Sequence, residues 1–127
     1  MTINEVIREA EKILPGIPAP EGEQDPRWQA IIKVGEFIET HPDHIWEFCL
    51  RWGSSECSDV RMAVATCLLE HLLECHFDSI FPRVVKAVKR NRYFADTFLI
   101  CSKFGQSELP VNSKRMDGLK AKLKSIT

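Results

Sequence analysis

Ser58-Asp59-Val60-Arg61-Met62-Ala63-Val64-Ala65-Thr66-Cys67-Leu68-Leu69 reads as a helix on spacing alone. Val60, Ala63, Val64, Cys67 and Leu68 recur at three- and four-residue steps, Leu72 and Cys75 continue the stripe, and Met62, Ala65 and Leu69 widen it. Ser58 or Asp59 supplies the expected cap, since a short oxygen-bearing side chain satisfies the free N–H groups of a first turn. The length of this stripe makes 58–75 the expected spine of the molecule.

Upstream, Gly53-Ser54-Ser55 makes a turn, and before it Ile45, Trp46, Phe48, Cys49, Leu50 and Trp52 are apolar nearly all round. They predict a short buried helix over 43–52, capped by Asp43 after the His41-Pro42 break. Asp25-Pro26 opens an earlier helix, 27–39, with Trp28, Ile31, Ile32, Gly35 and Ile38 along one face and Gly35 marking close helix contact. Residues 15–26, with Pro15, Gly16, Pro18, Pro20, Gly22, Pro26 and three acids, sustain neither helix nor central strand and predict a linker. Ile3, Val6, Ile7, Ala10, Ile13 and Leu14 share one face of a first helix, 3–14.

Downstream, a helix over 78–90 tolerates Pro82 in its first turn and turns Phe81, Val84, Val85 and Val88 inward. Arg83, Lys86, Lys89 and Arg90 take its other side. Asn91-Arg92 precedes a helix over 93–104, carrying Phe94, Phe98, Leu99, Cys101 and Phe104, which Gly105 is expected to end. A last helix, 113–125, starts at Asn112 or Ser113. Its thin stripe of Met116, Leu119, Leu123 and Ile126 suits a capping role.

No stretch alternates with period two, so the expected class is all-α: one domain, 1–127, of six or seven helices. At 44% apolar residues the chain can bury a continuous core. No apolar run reaches the roughly 20 residues of a membrane span, and Met1-Thr2-Ile3-Asn4-Glu5 opens no leader pattern. Five cysteines (Cys49, Cys57, Cys67, Cys75, Cys101) are an odd, irregular set, read as free thiols in a reducing, cytoplasmic setting. Charge is uneven: residues 1–60 carry 12 acids against 5 bases, net −7, and 61–127 carry 12 bases against 6 acids, net +6. Such a dipole can steer a charged partner or reflect solvated faces.

Residues 58–69 resemble the second helix of a HEAT repeat, whose pattern is Asp-Val-Arg, two small residues, then leucines. The resemblance implies a short right-handed superhelix of stacked antiparallel helix pairs. In it, 3–14 pairs with 27–39, 43–52 with 58–75 and 78–90 with 93–104, and 113–125 caps the stack. It further implies a protein-binding or scaffold role, with a surface lined by the second helices. Some HEAT-like proteins are DNA alkylation glycosylases that use Trp and Asp beside a basic surface, which brings Trp52, Asp59 and Arg61 forward as binding candidates. The alternative for these three is structural: a packed tryptophan, a helix-start acid and a hydrogen-bonding arginine.

Arg83, Lys86, Lys89 and Arg90, with Arg92 and the lysines of the last helix, are candidates for phosphate contact, with a solvated face as the competing explanation. His71, Cys75 and His76 lie close on one helix, but no Cys-x-x-Cys or His-Glu-x-x-His is present, and no metal or cofactor is expected. Cys57, before Ser58-Asp59 at a helix start, is the one thiol whose location can lower its pKa, with an exposed, inert loop cysteine as the competing explanation. Phosphate-binding glycine loops and nucleophile elbows are absent. The expectation is therefore a non-catalytic protein-binding module, with nucleic-acid binding as the alternative.

Overall fold

The computed structural model describes residues 1–17 and 19–126, with the side chain of Ile126 excepted. Pro18 in the linker and the place of Ile126 on the last stripe thus lie outside the described residues. The described chain is all helical, without strands: α1 Ile3–Ile13, α2 Pro26–Gly35, α3 Pro42–Trp52, α4 Ser58–Val64, a π turn Ala65–Leu69, α5 Glu70–Arg90, α6 Arg92–Ile100, a 3-10 turn Gly105–Glu108 and α7 Pro110–Ile126. None of these helices is long and apolar enough to cross a membrane. Helix α1 packs on α2, α2 on α4 and the π turn, α4 on α6, and α3 on α4 and α5. α7 closes the end against α6 and the 3-10 turn.

The spine departs from its expected register at residues 65–69. A π turn holds one residue more than an α turn, which retards every later side chain by about 100°. The slip carries Leu68, Leu69, Leu72 and Leu73 fully into the core, and leaves Cys67 and Cys75, expected on the stripe, half-buried at its edge. Met62, expected to widen the stripe, is exposed. Gly35 comes against the slipped turn: a Cβ there would lie 3.3 Å from both the Cys67 carbonyl oxygen and Leu68 Cδ2. Close helix contact at Gly35 is thus a property of the fold.

The expected break before Asp78 is a kink, with His76 at φ −139° and ψ 44° inside a continuous α5. It frees the Cys75 carbonyl and the Phe77 N–H, and the Gln106 amide satisfies both. Its Nε2 donates to Cys75 O and its Oε1 accepts from Phe77 N, each at 2.9 Å. Pro82, expected in a first turn, lies inside α5 beyond the first turn after the kink.

Other boundaries moved for local reasons. Helix α2 ends at Gly35, not 39, and the chain continues through turns to Thr40. Ile32, expected on its apolar face, is exposed. Helix α6 ends at Ile100, so Gly105 does not cap it; at φ +50° it instead lets the chain pass α5, since a Cβ there would meet Glu74 Cγ at 2.7 Å. Phe104, expected inside, is exposed, and Cys101 is buried just past the helix. Helix α7 begins at Pro110, ahead of Asn112 and Ser113. Neither Asp43 nor Ser58 nor Asp59 caps: the N-cap positions are His41 and Cys57, without side-chain cap bonds.

Two glycines separate crowding from conformational freedom. Gly53 follows α3 with helical φ/ψ, yet a Cβ there would lie 2.4 Å from Cys49 O and 3.2 Å from the Phe94 ring. Gly118, inside α7, would meet nothing within 4 Å. Gly53→Ala is expected to destabilise by about 1–3 kcal/mol through overpacking. Gly118→Ala is expected to stabilise by about 0.5–1 kcal/mol by lowering the backbone entropy of unfolding. Urea melts of both variants measure the opposite signs.

Candidate functional site

Arg27 is the most buried charged residue, 2% exposed, at the second position of α2. A cation in a first helical turn opposes the helix dipole and needs local compensation. Asp25, the N-cap, provides it: Oδ1 accepts from the Arg27 backbone N–H at 2.9 Å and Oδ2 accepts from Nη2 at 3.1 Å. The same Nη2 donates to Asp59 Oδ2 at 2.5 Å, and Trp28 Nε1 donates to that oxygen at 3.2 Å. Arg27 Nη1 lies 3.9 Å from Cys57 Sγ. One guanidinium thus ties the starts of α2 and α4 together. Hydrogen bonding from Arg27 holds the Asp25 carboxyl below the usual carboxylate range.

The candidate binding residues do not gather at one place. Asp59 belongs to the Arg27 cluster. Arg61 does not reach it; its Nη1 donates to the Ser55 and Glu56 carbonyls at 2.8 and 3.0 Å, and its guanidinium covers the Tyr93 ring at 5.1 Å. Trp52 packs on Phe48, half-buried, beneath Arg51. Trp52, Asp59 and Arg61 therefore do not converge on one pocket. Arg83, Lys86 and Arg90 do share a groove with α3, while Lys86 and Lys89 line a second with Phe81 and Arg115. Arg83 is paired with Asp43 at 2.9 Å, and among the described residues Lys86, Lys89 and Arg90 have no ion partner.

A third surface was not legible from spacing. The slipped turn opens a groove of about 590 Å³ between α2 and the spine, lined by Ile32, Gly35, Glu36, Ile38, Glu39, Thr66, Cys67, His71 and Cys75. Ile32 in its wall is 47% exposed, Met62, whose carbonyl accepts from the lining Thr66, is 42% exposed, and Phe104 is 41% exposed. Phe104 stacks on His71 with ring centroids 5.6 Å apart, and His71 Nδ1 bonds Glu74 at 2.7 Å. His76 turns away to the Ile38 carbonyl at 2.9 Å. His71, Cys75 and His76 therefore do not share a ligand, and no group of three or more metal-ligating side chains forms among the described residues.

Comparison with family models, curated proteins and solved structures gives no match. Position and chemistry carry what can be said of the site. Arg27 was detectable, because an arginine directly after Asp-Pro at a helix start calls for an acid. The exposed Phe104 was not, since it depends on where α6 ends, and Ile32 and Met62 flank buried apolar neighbours from which spacing does not separate them.

Two predictions follow from the Arg27 cluster. Arg27→Met leaves Asp25 and Asp59 beside a buried apolar chain and is expected to cost about 3–5 kcal/mol in urea unfolding. Asp25 is more acidic folded than unfolded, so its contribution is complete above the unfolded value, about 3.9, and is lost as pH falls through the lower folded value. Arg27→Met is expected to flatten that acid limb. Second, N–H groups at the start of α4, Val60's first, together with Arg27 pull the Cys57 thiol below its ordinary pKa, whereas burial pushes Cys49, Cys67, Cys75 and Cys101 up. Iodoacetamide at neutral pH is expected to label Cys57 first, and peptide mapping reads the order.

Proposed function

We propose that this chain is a non-catalytic protein-binding module of HEAT-like type, which takes its partner along the groove between α2 and the α4–α5 spine. The packing of α2 on α4, α4 on α6 and α3 on α5 supports two rows of helices, with the groove on the row of second helices. The observation that carries the reading is the exposure of three large apolar side chains around a groove lined by Gly35 and the π turn: Ile32 in its wall, Phe104 stacked on the lining His71, and Met62 one turn before the lining Thr66. Water gains nothing from three large apolar side chains held on rigid elements, whereas a partner's apolar anchor would bury them. Glu36 and Glu39 on the rim favour a partner with a basic margin.

Base-excision chemistry lacks an observation in its favour. Asp59, the acid it would need, has one carboxylate oxygen engaged by both Arg27 and Trp28. Nucleic-acid binding by the unpaired cations concerns a different surface, treated next.

Ile32→Asp with Met62→Asp changes only exposed positions, so the thermal midpoint is expected to stay within a few degrees. A protein that co-purifies stoichiometrically with the wild type at endogenous expression is expected to be lost from this variant. Retention of that partner, or a free monomer under all conditions, would overturn the reading.

A further inference from the structure

The cationic groove between α3 and α5 has the chemistry of a second docking surface. The groove holds about 460 Å³; Trp46 and Ala87 are its buried lining, Leu50 stands 38% exposed beside them, and Arg83, Lys86 and Arg90 line it from α5. Residues 83, 86, 87 and 90 fall at three- and four-residue steps, so the cations and the small Ala87 share one face of α5. Lys86 and Arg90 are exposed and have no ion partner among the described residues, and Lys89, Arg92 and Arg115 near them have none either. Only Arg83 is paired, to Asp43 across the groove.

Two features choose among anionic occupants. Phosphate backbones are polar along their length and leave an apolar floor uncovered, whereas Leu50, Trp46 and Ala87 offer a seat for an aliphatic side chain. Single-stranded bases need an exposed aromatic platform, yet Trp46 and Phe81 are buried, and Tyr93, outside the groove lining, has Arg61 over one ring face. We infer that this groove docks an acidic amphipathic segment of a partner protein, with carboxylates on Lys86 and Arg90 and an apolar anchor between Leu50 and Ala87. The surface is separate from the acid-rimmed groove, so with it the module holds two partners of opposite charge.

Fluorescence anisotropy tests this with a labelled helical peptide of roughly 18 residues, five turns, carrying leucines on one face and glutamates elsewhere. Expected are binding by the full chain, an affinity loss of about tenfold or more in Lys86→Glu with Arg90→Glu, and a comparable loss in Leu50→Gln. Leu50→Met is expected to keep the affinity, and Ile32→Asp to leave it unchanged, which separates this surface from the one proposed above. The same peptide with glutamines for glutamates is expected not to bind. No binding, or binding indifferent to Leu50→Gln, would sink the inference. So would a DNA duplex that binds more tightly, weakens steeply between roughly 50 and 200 mM salt and ignores Leu50→Gln; that result assigns the cations to phosphate.

Discussion

A guanidinium cannot be left in a protein interior without its counter-charges, and Arg27 sets the terms for the rest of this structure. Asp25 is both the cap of α2 and a counter-ion of Arg27, so the helix start and the charge pair form together. Asp59 brings in α4, fixing the angle at which the spine meets α2. The linker is also tied, since the Ala19 N–H reaches Asp25 Oδ2 at 3.4 Å. Mispacking these helices strands a buried charge, which makes the arrangement specific as well as stable.

The π turn acts on the packing that this anchor permits. A helix continued in plain α register from Val60 and Val64 would turn His71 and Cys75 toward the core in place of Leu69 and Leu73. The one-residue slip moves the leucine pairs inward, and the polar or polarisable side chains line the edge. Core and groove are therefore two consequences of one irregularity. Gly35 fits the same geometry, because a side chain there would press on the Cys67 carbonyl.

Charge is distributed by a different logic. Two ion pairs join α1 to α3 and α3 to α5, Arg51 with Glu11 and Arg83 with Asp43. They neutralise where helices meet, and the cations of α5 beyond them stay open to solvent. An exposed pair of this kind adds little stability, so its placement matters more for which face remains charged.

Much of this was legible in the residues alone. Apolar spacing determined the all-α class and the seven helical segments, because burying one stripe of a helix leaves a periodicity that no strand reproduces. It also placed Lys86, Lys89 and Arg90 opposite an apolar stripe and singled out Gly35. Capping was misjudged at Asp43 and Asp59, since each carboxylate serves an arginine distant in sequence, 40 residues away at Arg83 and 32 at Arg27. Phe104 was misplaced because Gly105 signals a helix end equally well whether it stops α6 or lets a loop pass α5. The helices were decided by spacing, an intrinsic property of neighbouring residues. The anchor, the register slip and the groove were decided only in the tertiary structure, because each depends on which distant backbone or charge a side chain finally meets.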